Sequence, residues 1–132
     1  MPIMTHQNIP NATAVPSAES VIAVTPVNNV DPVRTQKVII RATFNMLAGT
    51  TTSAVVARIR QGGTTGGAIV GAAATVTLAA GANGGGAISV EDTPNWLAAP
   101  ANGGQYCLTL AQTAGTANGS INVGDLQVEA VP

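Results

Sequence analysis

From Lys37 the chain alternates: Val38, Ile40, Ala42, Phe44 and Met46 share one parity, and Lys37, Arg41, Thr43 and Asn45 share the other. A period of two marks a strand with one face buried and one in water. After the turn-rich link Gly49-Thr50-Thr51-Thr52-Ser53 the pattern returns over Ala54 to Arg60, with Val55, Ala57 and Ile59 inward and Arg58 and Arg60 outward. Being consecutive, these two strands are expected to pair.

Beyond the glycine-rich loop Gly62 to Gly67, a short strand is predicted at Ala68 to Val70 and another at Ala73 to Ala79, with Ala74, Val76 and Leu78 on one face. Asn83-Gly84 and the following glycines supply the positive-φ positions of a tight reversal. Ala87 to Glu91 reads as the next strand, Ile88 and Val90 inward. Thr93-Pro94 reads as a helix cap and first helical position, predicting one turn over Thr93 to Ala99 in which Trp96 seals an end of the core. Asn102-Gly103 leads into Gln105 to Thr113, where Tyr106, Leu108 and Leu110 alternate with Gln105, Cys107 and Thr109. Asn118-Gly119 opens the last strand, whose phase changes between Ile121 and Val123 on one side and Leu126, Val128 and Ala130 on the other. Gly124 between them predicts a bulge. With Val21 to Val24 this makes about eight short strands, an all-β chain forming a single antiparallel sandwich or jelly roll.

Residues 1–20 lack strand or helix periodicity and carry Pro2, Pro10 and Pro16. They read as an extended N-terminal arm, with residues 21–132 forming the jelly-roll domain. The composition fits an arm that orders against a partner and equally one that stays disordered. Neither a signal-peptide pattern nor an apolar run of membrane-spanning length stands out, so synthesis without classical export is expected.

At 132 residues the chain has room for one core. Aromatic residues are 2% of it, so Ala and Val must do most of the filling. Charged residues are 8%, where soluble domains have about a quarter. The net charge of -1 gives little of the self-repulsion that keeps protein copies apart. The five basic residues, Arg34, Lys37, Arg41, Arg58 and Arg60, form no long run and are balanced by six acidic ones, so nucleic acid is not an expected partner.

Candidate chemistry is sparse. Cys107 is the one cysteine and sits in an apolar run, the setting of a buried filler. His6, the one histidine, lies in the arm, so a Ser-His-Asp or Cys-His pair would need that arm folded back over the domain. Glu91 and Asp92 are adjacent, so a strand would point them to opposite faces and they would not share an ion. Residues 62–67 lack the Lys-Ser/Thr ending of a phosphate loop. No catalytic, cofactor-binding or metal-binding residues are therefore assigned. Arg58 and Arg60, joined by Arg41 if their strands are neighbours, read either as a cationic patch for carboxylates of an adjacent subunit or as solvated surface arginines.

The order running from Glu91-Asp92-Thr93-Pro94, through Tyr106-Cys107-Leu108-Thr109-Leu110, to Leu126-Gln127-Val128-Glu129-Ala130-Val131 resembles the C-terminal half of small jelly-roll domains in tailed-bacteriophage virion proteins. In pattern the resemblance covers roughly residues 37–131. It implies a non-enzymatic decoration, or cement, protein on the outside of a phage head, often a homotrimer, made in the host cytoplasm. Its implied partners are its own copies and the major capsid protein, with no cofactor, membrane or small-molecule substrate. Arg41, Arg58, Arg60 and Trp96 are the residues expected to contact them. The alternative is a carbohydrate- or receptor-binding jelly roll of a phage tail or fibre, for which Trp96 and Tyr106 would be the aromatic platforms.

Overall fold

The computed structural model describes residues 3–14, 18–25, 37–50, 52–93, 105–114 and 120–131. Eight strands run in the order β1 (Ile3–Ala14), β2 (Ser20–Val24), β3 (Lys37–Leu47), β4 (Ser53–Gln61), β5 (Ile69–Leu78), β6 (Asn83–Asp92), β7 (Tyr106–Ala114) and β8 (Ser120–Val131). They form two four-stranded sheets, ordered β1-β8-β3-β6 and β2-β7-β4-β5.

The connectivity is that of one long hairpin rolled on itself. β1 pairs with β8, β2 with β7, β3 with β6 and β4 with β5, all antiparallel. Ser20 faces Leu110, Ile40 faces Val90 and Val56 faces Thr75, so the two residue numbers in a pair have a nearly constant sum. Rolling this ribbon brings β3 against β8 and β4 against β7 and closes a jelly roll.

The expected pairing of β3 with β4 is therefore replaced: the two strands belong to opposite sheets and face each other across the core. Both have an apolar face, and alternation is satisfied equally by a neighbour in the same sheet or by a sheet packed opposite. Val38, Ile40, Ala42, Phe44 and Met46 of β3 share one buried cluster with Val55, Ala57 and Ile59 of β4, and Leu108 and Leu110 of β7 and Leu126 and Val128 of β8 belong to it too.

Three further elements differ from the sequence reading. The two strands read at residues 68–70 and 73–79 are one strand, β5, over Ile69–Leu78. It bulges where Ala57 faces Ala74 but Ile59 faces Val70. Gly71 holds the bulge at φ +68°, and a Cβ there would come within 2.6 Å of Val90 Cγ1, so both backbone and space require glycine.

The reversal expected at Asn83-Gly84 lies earlier, at Ala79–Ala82. The Ala82 N–H donates to the Ala79 carbonyl at 3.0 Å, and Gly81 supplies the positive φ. The turn is docked on the β3–β4 link, with the Gly81 N–H on the Gly49 carbonyl and the Ala48 N–H on the Ala82 carbonyl. Asn83 to Gly86 thereby extend β6 opposite Phe44 to Leu47.

Ile3–Ala14, read as an arm, runs as β1 beside β8. The predicted bulge at Gly124 is present, since Thr43 faces Asp125 while Phe44 faces Val123. The helical turn over Thr93 to Ala99, apart from Thr93 itself, and the Asn102-Gly103 and Asn118-Gly119 pairs lie outside the described residues.

Candidate functional site

Arg58 and Arg60 project from the outer face of β4, as residues two apart on a strand must. Glu19, just before β2, reaches over β7 to both. Its carboxylate accepts from Arg60 Nε at 2.6 Å and Nη2 at 2.9 Å, a bidentate grip, and lies 3.6 Å from Arg58 Nη1. Arg60 Nη1 also donates to the Gly67 carbonyl at 2.8 Å. The Arg60 side chain is 16% exposed and that of Arg58 31%. The Arg60 guanidinium holds the Glu19 carboxyl below its ordinary range, against the opposing effect of burial. Arg60 is thus committed within the chain, and Arg58 is the looser of the two.

Arg41 does not join them. It projects from β3, in the other sheet, and pairs there with the nearly buried Glu129 of β8. Lys37 on the same face donates to Glu91 at 3.0 Å, an exposed pair. The expected three-arginine patch is consequently split between the two outer faces, because it depended on β3 and β4 being neighbours. Trp96 lies outside the described residues.

The outer face of β7 is covered as well as the inner one: Tyr106 through Leu110 are all buried. The β4–β5 loop folds over it, and Cys107 Sγ lies 3.8 Å from the Thr64 carbonyl. Burial pushes the Cys107 thiol up, the reverse of what a nucleophile needs. On the inner side Tyr106 Oη donates to Asp92 Oδ2 at 2.8 Å, and Gln61 Nε2 donates to the same oxygen at 2.8 Å. Glu91 and Asp92 do point to opposite faces, Glu91 to Lys37 and Asp92 to this cluster. Among the described residues no group of three His, Cys, Asp or Glu side chains is placed to hold a metal ion.

Sequence reasoning missed the partners of these groups. Glu19 and Arg60 are 41 positions apart, and nothing local connects them. It also missed the flank formed by β5 and β6, for which a signal existed: between Arg60 and Glu91 no residue is charged.

No family model matches the chain, and no curated protein matches it in sequence. Among solved structures it is similar to a protein of the IBDV viral particle, with a TM-score of 0.52 and 11% identity over 96% of this chain and 30% of that one. It is also similar to a protein from the disulfide-linked pili of Bacillus endospore appendages, with a TM-score of 0.43 and 15% identity over 97% and 88% of the two chains. A third similarity is to the CBM22-1 xylan-binding domain from Paenibacillus barcinonensis Xyn10C, with a TM-score of 0.46 and 15% identity over 98% and 95%. At such identities the likeness to the viral-particle protein shows a shared β-sandwich fold, and this chain spans less than a third of that protein's length.

Proposed function

We propose that this chain is a structural, non-catalytic virion protein that decorates the outer surface of a phage capsid and stabilises it, in contact with the major capsid protein and with its own copies. The observation that carries the reading is a jelly roll whose charged groups, among the described residues, are largely spent on one another. Glu19 occupies Arg60, Glu129 occupies Arg41, and Glu91 occupies Lys37. Among the described residues, what is left to meet a partner is a nearly neutral surface of Ala, Gly, Thr and Asn, suited to packing against other protein rather than to steering a charged ligand. The fold likeness to a viral-particle protein and the sequence resemblance to phage virion jelly rolls support the same reading. Raised thiol and phenol ionisation at Cys107 and Tyr106, both tied up in the packing, favour a structural over a catalytic role.

The experiment is co-sedimentation of the purified full chain with undecorated phage heads, followed by thermal challenge of the heads. Saturable binding and a higher temperature of head disruption are expected. A chain that stays in the supernatant and leaves head stability unchanged would overturn the proposal.

A further inference from the structure

The core is not sealed on every side. Inward residues of β3, β4 and β7 are closed off from water, but Ala74, Val76 and Leu78 of β5 pack on the core and remain half-buried. Facing them, β6 offers Gly84 and Gly86, whose missing side chains make room for Leu78, Val76 and the Phe44 ring. The core therefore thins toward the flank where each sheet ends, at β5 and at β6.

On that flank the Ala74 to Leu78 stretch of β5 lacks the devices by which edge strands avoid pairing. Such strands are ordinarily blunted by charge, proline, a bulge or shortness. On the opposite flank β1 contains Pro10, and β2 has five residues with a register shift between Val21 and Ala23. β5 has ten residues without charge or proline, and after its bulge Ala74 to Leu78 run regularly against β4. Ile69, at its start, is 52% exposed.

We propose that the β5 edge is where a second copy of this chain adds, β5 against β5, antiparallel about a twofold axis at Val76. An uncharged edge meeting its own copy meets no repulsion and strips water from no ion, whereas a charged partner would find nothing here to pair with. The axis sets Thr75 opposite Thr77 of the second copy, a favourable cross-strand pair on the outer face. On the inner face it brings the two Val76 side chains together and sets Ala74 opposite Leu78 of the copy. The apolar groups left half-buried in one copy then close a core shared by both, and the contact is self-limiting because each copy uses the same patch. The product is a dimer in which the β2-β7-β4-β5 sheet continues into its copy, rather than the trimer that the phage resemblance implies. This goes beyond the capsid reading and stands or falls separately from it.

Light scattering on the full chain tests it. A mass of twice 13.0 kDa is expected. Thr75→Lys with Thr77→Lys puts like charges opposite each other on both sides of the axis and is expected to give the single-chain mass with an unchanged β-sheet circular dichroism spectrum. Thr75→Lys with Thr77→Glu puts opposite charges there and is expected to restore the double mass. In the wild-type chain, amide exchange over residues 74–78 should slow as concentration rises. A wild-type chain that is monomeric or trimeric, a double-lysine variant that keeps the double mass, or exchange independent of concentration overturns the proposal. Binding to phage heads is read in a different experiment, so either idea can fail alone.

Discussion

The hydroxyl of Tyr106 donates to Asp92 Oδ2 across 2.8 Å, and this bond joins the two sheets, since Tyr106 belongs to β7 and Asp92 to β6. Gln61 of β4 shares the same oxygen, so one carboxylate from one sheet holds two strands of the other. Tyr106→Phe keeps the ring in the core and removes one of the two donors. A loss of about 1.5–3 kcal/mol is expected in urea unfolding, in line with a hydrogen bond to a charged acceptor. A change below roughly 0.3 kcal/mol would mean that the bond does not hold the sheets together.

The same pair governs behaviour in alkali. Burial, followed by the Asp92 hydrogen bond and charge, pushes the Tyr106 phenol well above its ordinary value of 10.0. The unfolded chain releases that proton near 10.0 and the folded chain keeps it. Stability is therefore full below that pH and falls as pH rises above it. Tyr106 is the only tyrosine, so tyrosinate absorbance should appear only together with unfolding. A titration complete near the ordinary value in the folded chain would contradict the placement.

Glu19 gives the opposite dependence. Its folded-state ionisation lies below the ordinary 4.5 because Arg60 hydrogen-bonds to it. Its contribution is present above the unfolded value and lost as pH falls through the folded one. Glu19→Gln should lower stability at neutral pH, and the difference from wild type should close in acid. Arg60→Lys keeps the charge but not the two-pronged geometry, so a loss of about 1–2 kcal/mol is expected at neutral pH. Equal urea midpoints for Arg60→Lys and wild type would show that charge alone suffices.

Phe44 lies directly opposite Gly86, with its ring over the glycine. A Cβ at position 86 would overlap that ring and sit 2.7 Å from Val76 Cγ2, whereas one at Gly85 would meet only the Phe44 carbonyl at 3.6 Å. Gly86→Ala should therefore cost about 1–3 kcal/mol through overpacking. Gly85→Ala should stay within about 0.5 kcal/mol. Adding Phe44→Leu to Gly86→Ala should recover part of the loss, giving a clear coupling energy in a double-mutant cycle.

Cys107 is fully buried beneath the β4–β5 loop, and its thiol is pushed up by burial. A thiol reagent should leave the native chain almost untouched and titrate one equivalent in denaturant. Rapid labelling of the folded chain would mean that the loop opens readily.

What the sequence determined by itself is local. Alternation of Val38 to Met46 and of Val55 to Ile59 names the buried face of each strand, because side chains on a strand must alternate whatever lies beside it. The change of parity around Gly124 names a bulge for the same reason. The β class, the near-absence of charge and the buried character of Cys107 follow likewise from residue type and spacing. Tertiary structure decided everything that depends on a neighbour. Periodicity reports a face and not the strand next to it, so β3 and β4, consecutive and alike, could be placed in different sheets. With that one choice the arginines parted, Arg41 toward Glu129 and Arg60 toward Glu19. The turn moved from Asn83-Gly84 to Ala79–Ala82 because Phe44 and Leu78 need the space that Gly86 and Gly84 leave in β6, and that need exists only once the sheets are packed.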